Sequence, residues 1–159
     1  MRPLVLNRKC DILLLSYNLE NCRLNKETKM PERWKDWLTQ SKRDLNHAEN
    51  ACRDGDFEWS CFSAQQSAEK VVKAVFLYLH GEGWGHSVFG LLRNLSNKTE
   101  VPETILEAAK ILDKHYIPSR YPNGFDSGFP GDYYTQKEAK EAIGHAGKII
   151  KFCESILCR

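Results

Sequence analysis

Apolar residues return every three or four positions through most of this chain, the period of amphipathic helices. The first such stretch opens at Pro31, a residue suited to the first turn of a helix. Trp34, Trp37, Leu38, Ser41, Leu45, Ala48 and Ala51 form its stripe, and Asp54-Gly55-Asp56 ends it with Gly55 expected as a left-handed cap. The second runs from about Phe57 to Leu79, with Ala64, Ala68, Val71, Val72 and Val75 as its buried stripe and Gly81 and Gly83 beyond its end. A short third helix, Val88 to Leu95, follows His86-Ser87. Pro102 opens a fourth, with Ile105, Leu106, Ala109, Leu112 and Tyr116 in register. Thr135-Gln136-Lys137-Glu138 reads as a capping box. It starts a fifth helix carrying Ala139, Ala142, Ile143, Ala146, Ile149, Ile150 and Ile156.

Almost no segment alternates in the way a strand requires. Four long helices and a short one, joined mostly by brief turns, predict an all-α, antiparallel up-and-down four-helix bundle with an additional short helix. One connection is long. Residues 117–134 hold three glycines and three prolines, with Tyr116, Tyr121, Phe125, Phe129, Tyr133 and Tyr134 in or beside them. Loops of that length inside a compact domain tend to be functional or disordered. So many aromatics argue for order.

A chain of 159 residues suits one domain with one core. No apolar run approaches a membrane span, and Ile12-Leu13-Leu14-Leu15 is too short for the core of a signal peptide. The expected compartment is therefore the cytoplasm. Residues 1–29 lack a sustained period and read as a poorly structured leader, with 30–159 as the helical domain; Met30 is a candidate natural start. The net charge of +2 is uneven. The leader holds six bases and three acids, which leaves 17 bases and 18 acids in the rest. Such a body is not built to hold nucleic acid non-specifically. The six cysteines, at 10, 22, 52, 61, 153 and 158, show no C-x-x-C or Cys/His ligand spacing, so no metal site is expected. Cys52, Cys61 and Cys153 read as small buried hydrophobes.

Candidate chemistry sits in two places. On the second helix Gln66, Glu69, Lys70 and Lys73 lie three or four apart, and Glu69 precedes Lys73 in the favourable order for an ion pair. Such pairs are usually a solvated face worth a few tenths of a kcal/mol. In the loop, Pro118 and Pro122 stiffen the backbone on either side of Arg120, and Tyr121 follows it. A guanidinium so placed can grip a phosphate with two parallel hydrogen bonds while a ring stacks on a base. It can equally pair with a carboxylate such as Glu69 or Asp113 and pin the loop to the bundle. Both readings stand.

The order of these elements resembles the HEPN domain, named for higher eukaryotes, prokaryotes and nucleotide binding. The matching elements are Ala64 to Ala74 (A-Q-Q-x-A-E-K-x-x-K-A), Gly85-His86-Ser87, Tyr116, Arg120-Tyr121-Pro122 and the Thr135 cap. The resemblance spans residues 30–157 and implies a bundle that is often dimeric. Members include partners of minimal nucleotidyltransferases in toxin–antitoxin pairs, a domain of the chaperone-like protein sacsin, and metal-independent ribonucleases that use an Arg followed by a His after four to six residues. This chain departs from that last pattern. The corresponding positions are Phe125, Asp126 and Ser127, and no histidine appears until His145. RNA cleavage by general acid–base chemistry needs a group titrating near neutrality beside the phosphate; His86 or His115 could serve only if the fold brings one to Arg120.

The leading expectation is therefore a non-catalytic domain holding a nucleotide such as ATP or GTP, or the nucleotide-bearing surface of a partner. Arg120 and Lys73 would contact phosphates, Tyr121 would stack, and Glu69 would orient Arg120 or a ribose hydroxyl. Gln66, His86, Asp113 and Tyr116 would support them. The alternatives are a ribonuclease toxin and a purely structural adaptor bundle. A homodimer is expected because Trp34, Trp37, Trp59 and Trp84 exceed what one small bundle must bury.

Overall fold

Five α-helices and two single-turn 3-10 segments make up the computed structural model, which describes residues 32–158. The helices are α1 (Arg33–Asp54), α2 (Phe57–Tyr78), α3 (Val88–Leu95), α4 (Glu103–Asp113) and α5 (Gln136–Leu157). The 3-10 turns, Pro122–Gly124 and Pro130–Asp132, lie in the long connection before α5. Among the described residues there is no strand, and no helix is long and apolar enough to cross a membrane. The leader 1–29, the start at Met30, Pro31, Cys10 and Cys22 lie outside the described residues.

The helix ends follow from local chemistry. Gly55 adopts φ 93° after α1, a left-handed conformation that a Cβ disfavours, and the Asp56 N–H closes back on the Ala51 carbonyl at 2.9 Å. Thr135 and Glu138 form the reciprocal box that starts α5: the Glu138 N–H donates to Thr135 Oγ1 at 3.3 Å, and the Thr135 N–H to Glu138 Oε2 at 2.9 Å. α4 is shorter than its apolar pattern implied. It ends at Asp113, and Tyr116 lies in the following turn rather than in helical register. Pro118 supplies the reason, since a continued helix would set its ring against the carbonyl of Lys114 and leave that carbonyl without a donor.

α2 is the central element and packs against α1, α3, α4 and α5. Its contact with α1 is the most extensive in the bundle. Small side chains let these two backbones approach: Ser41 Oγ donates to the Ser67 carbonyl and Ser67 Oγ to the Ser41 carbonyl, each at 2.7 Å. Ser60 Oγ donates to the Ala48 carbonyl at 2.8 Å. Position 41 facing 67 and 48 facing 60 means that the helices run antiparallel. The hydroxyls are buried, yet each is satisfied, so the close seam carries no desolvated polar group. The core fills out with Val71, Val72 and Val75 of α2, Leu91, Leu92 and Leu95 of α3, Leu112 of α4 and Ile149 of α5. Cys52, Cys61 and Cys153 are buried and unpaired, as small hydrophobes would be. Two tryptophans, Trp34 and Trp37, pack partly buried against this core, whereas Trp59 and Trp84 are exposed.

α3 is too short to be stable alone, and it is held from outside. The Asp113 carboxylate, at the end of α4, accepts hydrogen bonds from Ser87 Oγ (2.6 Å), the Val88 N–H (2.7 Å) and the Phe89 N–H (3.1 Å). Ser87 Oγ in turn accepts from the Gly90 N–H at 2.9 Å. One carboxylate thus satisfies the first turn of α3 and faces the positive end of its dipole. Asp113→Ala should cost about 1–3 kcal/mol in urea unfolding, the range for losing charged hydrogen bonds at a helix start. A change below a few tenths would contradict this role.

Candidate functional site

Glu69 is a carboxylate buried inside a helical face, only 4% exposed. α2 places it one turn before Lys73, whose Nζ donates to Oε1 at 2.9 Å. Gln66 Nε2 reaches Oε2 at 3.3 Å, and His86 Nδ1 lies 3.3 Å from both oxygens. An ionised carboxylate only accepts, so His86 donates its Nδ1–H to Glu69 and Nε2 is left for another partner. Next to it, buried Gln65 donates to the His86 carbonyl at 2.8 Å and accepts from Gln66 Nε2 at 2.8 Å. The 80–87 connection is thereby tied to α2 through both the side chain and the backbone of His86. Lys70, the remaining base of the expected polar face, pairs with Asp44 of α1 at 2.6 Å and also reaches Gln66 Oε1 at 3.4 Å.

Arg120 does not take the carboxylate pairing that one sequence reading expects. Its Nε and one terminal nitrogen donate to the Tyr116 carbonyl, at 2.9 and 2.7 Å. The guanidinium carbon sits 4.3 Å from the centre of the Phe62 ring, 4.7 Å from Tyr116 and 5.1 Å from Tyr121. The expected pairing with Glu69 or Asp113 does not occur: Glu69 is engaged by Lys73, Gln66 and His86, and Asp113 caps α3. Among the described residues Arg120 has no carboxylate partner. Two of its five N–H groups are used, so three remain for a ligand.

Glu69, Lys73 and Arg120 do not meet in one contact. Phe62, under the guanidinium, precedes Lys73 by three helical turns, about 16 Å along α2. The link between the two places is His86, which stacks on Tyr116 at 5.1 Å with 14° between the planes. Steps of 5.1 and 4.7 Å through the Tyr116 ring put the guanidinium carbon within about 10 Å of the imidazole centre. His86 thus shares the Tyr116 ring with the arginine, whereas the His115 ring turns to Tyr134. His86 also lines a cleft of about 460 Å³, together with Trp37, Lys73, Leu77, Glu82 and Trp84. Phe62 and the two cleft tryptophans had not been singled out as site residues. Phe62 belongs to the same helical row as Gln66, Glu69 and Lys73, the one signal that could have marked it.

A compact helical bundle whose last loop presents an arginine over a ring of aromatics defines a small HEPN-type domain. The HEPN domain model matches residues 34–156, and the chain belongs to that family. It is 44% identical to TT1696 from Thermus thermophilus, whose crystal structure superposes with a TM-score of 0.77 over 79% of this chain and 98% of that one. ST0689, described as an archaeal HEPN homologue, is 41% identical with a TM-score of 0.67, over 77% of this chain and 96% of that one. The chain is also 25% identical, over 76% of its own length and 86% of the other, to a protein of Methanocaldococcus jannaschii named "Putative toxin MJ1304".

A second polar cluster lies where α2 and α5 begin. His115 Nδ1 is 3.4 Å from the Tyr134 hydroxyl, beside Cys61 and Glu138. Burial pushes the Cys61 thiol up to about 12, and burial likewise raises the Tyr134 hydroxyl, so both stay protonated at neutral pH. Burial holds the His115 imidazole below its ordinary value; Glu138 opposes this shift, while Lys114 and His145 reinforce it. The unfolded imidazole takes up its proton near pH 6.5, the folded one only at lower pH. In between, the unfolded state binds more protons, so stability rises with pH there. His115's contribution should be intact above about pH 6.5 and lost as the pH falls through the folded value. Urea unfolding across about pH 7 to 4 should show a shallower acid slope for His115→Gln than for the parent; equal slopes would rule the histidine out.

Proposed function

We propose that this HEPN domain binds a nucleotide, or the nucleotide-bearing surface of a partner such as a minimal nucleotidyltransferase, without transforming it. The observation that carries this reading is the guanidinium of Arg120, packed on three rings and without a carboxylate among the described residues. Half-buried guanidinium groups are normally paired, and a phosphate is a natural acceptor for the N–H groups that the Tyr116 carbonyl leaves unused. Tyr121, half exposed beside it, offers a stacking face. Lys73 and Glu69 support the far end of the site, Lys73 with two unused N–H groups and Glu69 by fixing His86. ATP and GTP are the ligands to try first. The same reading takes the domain as a homodimer, with exposed Trp59 as an anchor suited to an interface.

Calorimetric titration with ATP and GTP should show binding that Arg120→Ala weakens at least about ten-fold while the variant still unfolds in one cooperative transition. Absence of heat with both nucleotides would favour a purely structural adaptor bundle, and affinity indifferent to Arg120 would overturn the assignment of the phosphates to Arg120.

A second reading, a ribonuclease toxin, gains support from the name of the archaeal relative and from His86. The loop histidine of the ribonuclease pattern is absent, but the free Nε2 of His86 lies on the same aromatic stack as Arg120. If this chemistry operates, labelled RNA is cut by the purified protein and cutting falls at least about a hundred-fold in both His86→Ala and Arg120→Ala. Intact RNA, or cutting that survives His86→Ala, removes His86 as the proton carrier.

A further inference from the structure

We infer that the cleft between Trp37 and Trp84 receives the purine base of the nucleotide, with the ribose over His86 and the phosphates directed to Arg120. This rests on the nucleotide reading and adds to it an orientation and a base-recognition pocket. At about 460 Å³ the cleft lies within the range of small-molecule sites. Its walls are mainly apolar, from Trp37, Leu77 and Trp84, and its polar groups are few: the Lys73 ammonium, the Glu82 carboxylate and the His86 ring. A flat ring with donors and acceptors along its edge complements that set.

The wall formed by Trp84 is built to stay in place. A Cβ on Gly83 would stand 3.0 Å from Phe76 Cδ2, 3.2 Å from Leu91 Cδ2 and 3.3 Å from Lys73 Cγ, so the loop backbone is pressed against the bundle there. His80 at φ 53° and Gly85 at φ 93° set left-handed bends on both sides. Trp84 Nε1 donates to Glu82 Oε2 at 3.0 Å, which satisfies the indole's one polar atom and leaves the residue 81% exposed. A large apolar ring anchored by its edge, in a cleft that a second indole also lines, is suited to stacking a base.

The spacing favours a whole nucleotide over a lone anion. Within the cleft Glu82 and the Glu69–Lys73 pair leave no surplus positive charge, so phosphates have little reason to settle there. The guanidinium, with three N–H groups unused, lies within about 10 Å of the imidazole past the Tyr116 ring, a distance that a ribose bearing a chain of phosphates can span around that ring. His86, which lines the cleft and stacks on the ring that carries Arg120, offers its Nε2 to a ribose hydroxyl.

The test titrates the whole protein with ATP and, separately, with inorganic tripolyphosphate, by calorimetry and tryptophan fluorescence. ATP should quench the emission, and Trp84→Ala should weaken ATP between about 5- and 100-fold, the effect of losing one base–aromatic stack. Trp84→Phe should restore most of the affinity, and tripolyphosphate should bind more weakly than ATP and ignore both substitutions. ATP affinity within about two-fold of the parent in Trp84→Ala, or tripolyphosphate binding as tightly as ATP, would overturn the base pocket and leave the nucleotide reading standing. Binding of neither probe would overturn both.

Discussion

A carboxylate inside the bundle wall is the constraint around which this domain is arranged. Burying an ionised Glu69 without partners would cost several kcal/mol. The structure meets that cost with an ammonium from the next turn of α2, an amide from the preceding turn and an imidazole from the following connection. Only the imidazole is distant in sequence, so satisfying the charge also fastens the 80–87 loop. Buried polar groups of this kind add little to stability, because a hydrophobic replacement of similar shape often does as well. Their effect here is to fix where His86 stands.

From His86 the order propagates through flat contacts. The imidazole stacks on Tyr116, and the Tyr116 carbonyl takes two hydrogen bonds from Arg120. The guanidinium then rests on Phe62, which returns the path to α2. The circuit closes on one helix, so the arginine is positioned by a rigid element even though it belongs to a loop. Pro118 contributes earlier still: by ending α4 it turns Tyr116 out of helical register and frees its carbonyl. Asp113, at the same helix end, starts α3 and holds the segment that follows His86. The two ends of the site are therefore braced by the same short stretch, residues 113–120.

The helices were legible because their apolar period and their caps agree. Gly55, Ser87 and the Thr135–Glu138 box lie where the pattern places them, and only the reach of α4 was overestimated, since periodicity does not register a proline's clash one turn back. The site was legible in part. The Glu69–Lys73 pair is local, and a spacing of four is enough to see it. Arg120 was visible as a residue between two prolines, but its partners were not. Pairing with a backbone carbonyl leaves no mark on side-chain chemistry, and Phe62 reads as an ordinary apolar position until a ring from another segment stacks near it. The Trp37–Trp84 cleft was hidden for a related reason. Two tryptophans 47 positions apart share no period, and the close approach of Gly83 that brings them together is a tertiary fact.

Helices and caps build the bundle and the match over residues 34–156 places it in the HEPN family, whereas the function turns on whether the arginine's three spare N–H groups meet a phosphate. A crystal structure of the full chain grown with a slowly hydrolysed ATP analogue measures this directly. The expected result is phosphate oxygens about 3 Å from the Arg120 guanidinium nitrogens, with the Tyr116 and Phe62 contacts retained. Density for the analogue elsewhere, with Arg120 bound to a carboxylate of a second copy, would contradict it.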